Sequence, residues 1–255
     1  MTFRKLILIL ACAIVTLMAA ESPFIGKWKL NPAKSHFAGT TVTFEVLPSG
    51  EMQFTGEGQS YKFKMDGNEY PSLWGSTAAW KQIDDHTWET VGKMGDLVIH
   101  QTTKISADGK TMTVSGKGKK PNGEPIEEDS IWQRVSSGAG LVGKWKSNKV
   151  QVTSENWEFC ANGDDGLTLE ISDYKTECSV KFDGKGYPCT GPTMPKNFLM
   201  TARKTGPRSL EFTETMDGKV VYRDLFTVSA DGKTMTDEAA AAGANEKIKV
   251  VYDKQ

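Results

Sequence analysis

Residues that usually carry catalysis or bind metals are scarce in this chain. It has only three histidines, His36, His86 and His100, and no two of them have the His-x-x-x-His spacing of a metal site. It also lacks a Cys-x-x-Cys pair, a Gly-x-Ser-x-Gly segment and a phosphate-binding loop. Adjacent carboxylates such as Glu127 and Glu128 point to opposite faces of a strand and cannot act together. We therefore predict no enzymatic activity, no metal and no cofactor.

Neither an excess of basic charge nor more than one long apolar run is present. The 31 basic and 32 acidic residues give a net charge of −1, which does not suggest a nucleic-acid partner. The one long apolar run, Leu6 to Val15, follows two basic residues and leads to Ala19-Ala20. This layout predicts a cleaved signal peptide over residues 1–20, with a lipid anchor at Cys12 as the alternative. We expect an exported protein, periplasmic or extracellular, with no membrane span in the mature chain.

The rest of the chain is an internal repeat. Gly-Lys-Trp-Lys at 26–29 returns at 143–146, a shift of 117 residues, and two turn-rich segments recur in the same order. Those segments are 64–71 with 181–188, and 106–113 with 229–236. A flexible stretch of small residues, Ser136 to Gly140, separates the copies. We predict one domain over residues 21–136 and a second over 137–255.

Apolar residues alternate with polar ones along both copies. Val42, Phe44 and Val46 show the pattern, and Gly, Asp and Asn turn signals interrupt it at short intervals. Only the composition of Asp237 to Ala242 favours a short helix. The pattern predicts an all-β protein made of two tandem antiparallel up-and-down meander barrels.

Two cysteines of the second copy are placed by a predicted hairpin. A type I′ turn at Asp183-Gly184 sets Cys178 directly opposite Cys189. Opposed residues of antiparallel strands lie about 4.5–5.5 Å apart at Cα, which a disulfide accepts. We predict a Cys178–Cys189 bridge, consistent with an oxidising compartment, and pairing of Cys160 with Cys178 stays open as the alternative.

A Gly-x-Trp at the first strand of such a barrel, with an aromatic and basic ending on the last, resembles the calycins, the superfamily of lipocalins and fatty-acid-binding proteins. The turn segments are similar to those of uncharacterised bacterial secreted lipocalin-like proteins, here in two tandem copies. The endings are Ile131-Trp132-Gln133-Arg134 and Val251-Tyr252-Asp253-Lys254. The resemblance implies that a cation from the last strand covers the first-strand tryptophan as a structural latch, pairing Trp28 with Arg134 and Trp145 with Lys254.

The aromatic residues have two interpretations, because small barrels fill their interior with side chains and larger ones enclose a cavity. If a lumen exists, the candidate lining residues are Phe44, Phe54, Phe63, Trp80, Trp88, Phe159, Phe182, Phe212, Tyr222 and Phe226. The corresponding functional hypothesis is a monomeric binding protein that holds a small apolar ligand in one or both barrels. The alternative is a non-catalytic structural or protein-interaction protein of the cell envelope with filled barrels.

Overall fold

The computed structural model describes residues 22–37, 39–244 and 247–255. Twenty β-strands make up most of this part of the chain, together with two single turns of 3-10 helix, Leu73–Gly75 and Ser172–Tyr174, and no α-helix occurs in it. The predicted signal peptide, residues 1–20, lies outside the described residues.

The strands follow one another with short connections. In the first repeat they are β1 (Gly26–Leu30), β2 (Thr41–Val46), β3 (Met52–Gly56), β4 (Gln59–Phe63), β5 (Asp66–Pro71), β6 (Thr77–Gln82), β7 (Thr87–Met94), β8 (Leu97–Ile105), β9 (Thr111–Lys119) and β10 (Pro125–Arg134). In the second they are β11 (Gly143–Gln151), β12 (Asn156–Ala161), β13 (Gly166–Ile171), β14 (Thr176–Lys181), β15 (Tyr187–Thr190), β16 (Phe198–Gly206), β17 (Ser209–Met216), β18 (Lys219–Val228), β19 (Thr234–Ala241) and β20 (Ile248–Lys254).

The predicted fold class is confirmed: the strands form two ten-stranded antiparallel sheets, one a closed barrel and the other nearly closed. The expected helical tendency of Asp237 to Ala242 is wrong, because Asp237–Ala241 lie within β19. Alternate residues of this strand are buried, and it pairs with β18 on one side and β20 on the other. Pairing on both sides overrides the helix preference of alanine.

The two barrels exchange their opening strands. β1 pairs with β12 and β20, and β11 pairs with β2 and β10. The first barrel therefore consists of β2 to β11, a continuous stretch from Thr41 to Gln151, and the second consists of β1 with β12 to β20. Each sheet takes its Gly-Lys-Trp-Lys strand from the other repeat.

The exchange changes the partners of the two tryptophan latches. The expected pairs are wrong: the Arg134 guanidinium lies 4.1 Å from the Trp145 ring, and the Lys254 ammonium lies 5.1 Å from the Trp28 ring. Both rings are fully buried, and each indole N–H donates to a backbone carbonyl four residues earlier, at Phe24 or Leu141. The four predicted residues thus form two cation–π contacts, with partners exchanged because the strands are.

The fourth and fifth strands of each repeat are joined in one barrel and separate in the other. β14 pairs with β15, and the predicted Cys178–Cys189 disulfide joins them, with Cys160 free. In the first barrel, β4 and β5 form the two edges of the sheet. The predicted register is right, but the type I′ turn is wrong: Gly184 has φ 74° and Asp183 does not have positive φ. Instead the Asp183 carboxylate accepts the Lys185 N–H at 3.0 Å, which stabilises the turn through its side chain.

The barrels contact each other at several points that fix their relative placement. A side chain at Gly58 would overlap the Ala242 carbonyl, and one at Gly95 would overlap the Pro192 carbonyl. Between the barrels, the buried Lys120 ammonium of the first lies 2.7 Å from the buried Asp173 carboxylate of the second. Close backbone approach and a buried ion pair therefore join the two units.

Candidate functional site

Each barrel has a cavity that is partly open to solvent. That of the second barrel has a volume of about 370 Å³, and that of the first about 310 Å³. The share of one water molecule in the liquid is about 30 Å³. Each cavity could thus hold on the order of ten water molecules, so neither barrel is completely filled by its own side chains.

The second-barrel cavity is apolar along most of its wall. Leu169, Ile171, Met194, Phe198 and Met200 line it, and the disulfide between β14 and β15 contributes its Cys178 side. These residues come from inward-facing positions of neighbouring strands and from the connection between β15 and β16. Such a wall suits a hydrocarbon or aromatic ligand.

Trp74 contributes to the walls of both cavities. It belongs to the first repeat, and its ring packs 5.1 Å from that of Tyr222 in the second barrel. Its indole N–H donates to the Glu57 carboxylate at 2.8 Å. Its backbone is left-handed, with φ 59° and ψ 30°, a conformation that is rare for a bulky residue. The two cavities therefore meet at one strained tryptophan.

A third cavity of about 230 Å³ lies where the barrels touch. Tyr222 lines both this cavity and that of the second barrel, and Trp132 lines both this cavity and that of the first. Glu57 also faces it, and burial raises the pKa of its carboxyl, an effect that the Trp74 hydrogen bond opposes. Cavities and aromatic side chains thus alternate through the junction.

Three carboxyl groups occupy inward positions of the second barrel. Glu214 lines the cavity, whereas Asp224 and Asp237 lie deeper and are only 8% and 5% exposed. One carboxyl oxygen of Asp224 and one of Asp237 are buried without a hydrogen-bond partner. A buried polar atom without a partner is unusual in a folded protein.

The surroundings favour the neutral form of all three acids. Burial raises the pKa of Glu214 to about 7. Burial, and then the nearby Glu214, raise the pKa of Asp237 to about 8. Burial, followed by the charges of Asp237 and Glu214, also raises the pKa of Asp224 well above its ordinary value. Desolvation and mutual repulsion act in the same direction here.

The first-barrel cavity has a different wall, with several hydroxyl groups among aromatic rings. The Trp80 indole N–H donates to the Tyr61 hydroxyl at 3.0 Å. Thr90 and Thr103 are buried on this wall, and the Thr90 hydroxyl has no partner. The two copies have therefore diverged in the chemistry of their interiors.

The predicted lumen aromatics are divided between cavity walls and packed core. Phe44, Phe54 and Trp80 line the first cavity, and Tyr222 lines the second. Phe63 and Trp88 are buried in the first barrel's core away from its cavity wall, and Phe159, Phe212 and Phe226 pack against one another in the second. Phe182 lies elsewhere, beside another cavity and 4.4 Å from the Lys204 ammonium.

Trp74 and the three acids are not among the lining residues predicted from the sequence. The acids were detectable, because Glu214, Asp224 and Asp237 stand at positions where the alternation calls for an apolar residue, next in phase to Phe212, Phe226 and Met235. Trp74 had no such signal, since it lies in a connection between strands.

Within the described residues, no group of three or more His, Cys, Asp or Glu side chains is arranged to hold a metal ion. The same residues include no helix with the length and apolar character needed to cross a bilayer. No protein-family model matches the chain, and no curated protein or solved structure matches it either. The architecture of two ten-stranded antiparallel barrel-like sheets is compatible with a calycin-like fold.

Proposed function

We propose that the protein is an exported binding protein that holds a small apolar ligand in its second barrel. The observation that carries this proposal is the cavity of about 370 Å³ with a mainly apolar wall. Its volume falls within the range of about 300–1,000 Å³ found for small-molecule sites. The residues at the barrel junction, above all Trp74 and Tyr222, form part of the wall that a ligand would contact.

The cavity favours this function over a structural protein with filled barrels. An apolar wall of this kind is stabilised when a ligand covers it and removes it from water. The binding proposal accounts for the cavity, whereas the filled-barrel alternative does not. Binding, rather than catalysis, is what such a wall supports.

Export is part of the proposal. The Cys178–Cys189 bridge is compatible with an oxidising compartment, and the basic and apolar N-terminus is typical of a signal peptide. We propose that the protein works as a monomer in the periplasm or the medium, where apolar ligands need a carrier, and that it binds no nucleic acid.

Titration with Nile red, a neutral dye that fluoresces in apolar surroundings, tests the site. Two neighbouring residues of β16 provide a matched pair, since Met200 lines the cavity and Leu199 is exposed on the outer face. We expect saturable binding to the native protein, at least a tenfold loss in Met200→Trp and an unchanged affinity in Leu199→Trp. Far-ultraviolet circular dichroism checks that both variants are folded.

Absence of saturable binding to the native protein would overturn the proposed function in favour of the structural alternative. Equal affinity in the folded Met200→Trp variant would instead move the site out of the second barrel, and the first-barrel cavity would be the next to fill.

A further inference from the structure

We infer that the second-barrel cavity selects an apolar ligand that carries an ammonium group, because the cavity-lining Glu214 heads a row with two buried carboxyls, each of which has one oxygen without a hydrogen-bond partner. This inference rests on the proposed function and names the ligand class of the same site.

Strand register brings the three acids together. Phe212 lies opposite Asp224, and Glu214 lies opposite Tyr222, so Glu214 and Asp224 are diagonal neighbours. On the next strand Asp237 lies opposite Phe226, which makes Asp237 the diagonal neighbour of Asp224 on the other side. Diagonal positions lie about 7–8 Å apart, within reach of electrostatic coupling. The acids thus form a diagonal row from the cavity wall into the barrel.

The described residues provide no basic side chain that pairs with these three acids. None of the ion pairs formed by the described residues includes Glu214, Asp224 or Asp237. The cation nearest in sequence, Arg223, is exposed and reaches Thr213 on the outer face. The other titratable groups whose charge acts on the neighbouring Tyr222 are acidic too, Glu57 among them.

A ligand in the cavity can supply a cation to this row at Glu214, the acid that lines the wall. An ammonium group supplies three hydrogen-bond donors and a positive charge, and a hydrocarbon tail matches the apolar part of the wall. A fatty acid would place its carboxylate against three acids and is disfavoured by repulsion. Since the acids are not grouped as metal ligands, an organic cation fits better than a metal ion.

Three probes of equal chain length test the inference: octylamine, octanol and octanoate, each used to displace Nile red at pH 8. We expect octylamine to bind at least tenfold more tightly than octanol, and octanoate to bind more weakly than both. In Glu214→Gln the ratio of amine affinity to octanol affinity should fall to threefold or less. Glu211→Gln, on the outer face of the same strand and ion-paired with Arg203, should retain the full preference.

A second measurement needs only the native protein. A cation bound beside neutral acids favours their ionisation, so octylamine should release protons at pH 6.5 and octanol should not. Calorimetry in two buffers of different ionisation enthalpy measures this release.

The outcomes separate the two proposals. If octylamine and octanol bind equally, the ammonium inference is overturned and the apolar binding function stands. A preference that persists in folded Glu214→Gln, or amine binding without proton release, also overturns it. If neither Nile red nor any probe binds, the proposed function itself fails.

Discussion

Removing one buried acid should stabilise this protein. Asp237 is 5% exposed and has a carboxyl oxygen without a partner, and its pKa is raised to about 8, chiefly by burial. Its ordinary pKa is 3.8, so the unfolded chain ionises it at lower pH than the folded barrel does. Stability from this group is therefore greatest below the ordinary value and is lost as the pH rises towards 8.

The size of the effect follows from linkage. A single group that is ionised in the unfolded state and neutral in the folded one changes stability by at most ~1.4 kcal/mol per pH unit. From pH 5 to pH 8 this gives an upper limit of about 4 kcal/mol, and we expect roughly half because the barrel can relax around the charge. For a protein of this size about 2 kcal/mol corresponds to a shift of roughly 4–8 °C in Tm.

Thermal unfolding of Asp237→Asn, followed by circular dichroism at pH 5 and pH 8, measures this difference. Native protein should lose stability between the two pH values, and the variant should lose much less and melt higher at pH 8. The adjacent Glu238 is exposed on the outer face of β19, and its charge makes the smallest of the contributions that raise the pKa of Asp237, so Glu238→Gln is the matched control and should stay close to the native curve. Parallel curves for native protein and Asp237→Asn would refute the reasoning.

Three further predictions concern the architecture. Gly95→Ala places a side chain against the backbone of the other barrel and should cost more than about 2 kcal/mol of stability. Gly109→Ala, at a turn glycine of similar φ with nothing nearby, should cost about 1 kcal/mol. Equal losses of stability in urea unfolding would contradict the close approach of the barrels. A double-mutant cycle should give a coupling of about 0.5–2 kcal/mol between Lys254 and Trp28 and none between Lys254 and Trp145, the reverse of what unexchanged strands require. Reducing the disulfide between β14 and β15 should lower stability by about 2–3 kcal/mol. An unchanged melting curve in reductant would show that the pairing of these two strands does not depend on the disulfide.

Local pattern was enough to predict strands, turns and the disulfide. Alternation and Asp-Gly turns determine which residues can face each other across a hairpin, and Cys178 and Cys189 are opposed in the predicted register. The turn type itself was mispredicted because a side-chain hydrogen bond from Asp183 stabilises the loop in another conformation.

Strand exchange could not be predicted from the pattern. The strands beginning at Gly26 and Gly143 share the same four residues, so either one satisfies either barrel locally. The choice depends on the connections that follow them, which carry no periodic signal. The alternation of apolar and polar residues does not reveal the cavities either, because aromatic residues at inward positions are compatible with both a filled barrel and a hollow one.

The exchange has a consequence for the order in which the molecule assembles. All ten strands of the first barrel, from Thr41 to Gln151, are contiguous in the chain, so this barrel can form as soon as that stretch has been made. β1 is synthesised before it, yet β1 pairs with β12 and β20, and its pairing with β20 must wait until Lys254 has emerged. Contacts so distant in sequence form slowly, and an unpaired strand is open to aggregation in the meantime. We therefore expect the second barrel to form last, and a chain cut short before β20 would contain the first barrel together with a β1 that lacks one of its two partner strands.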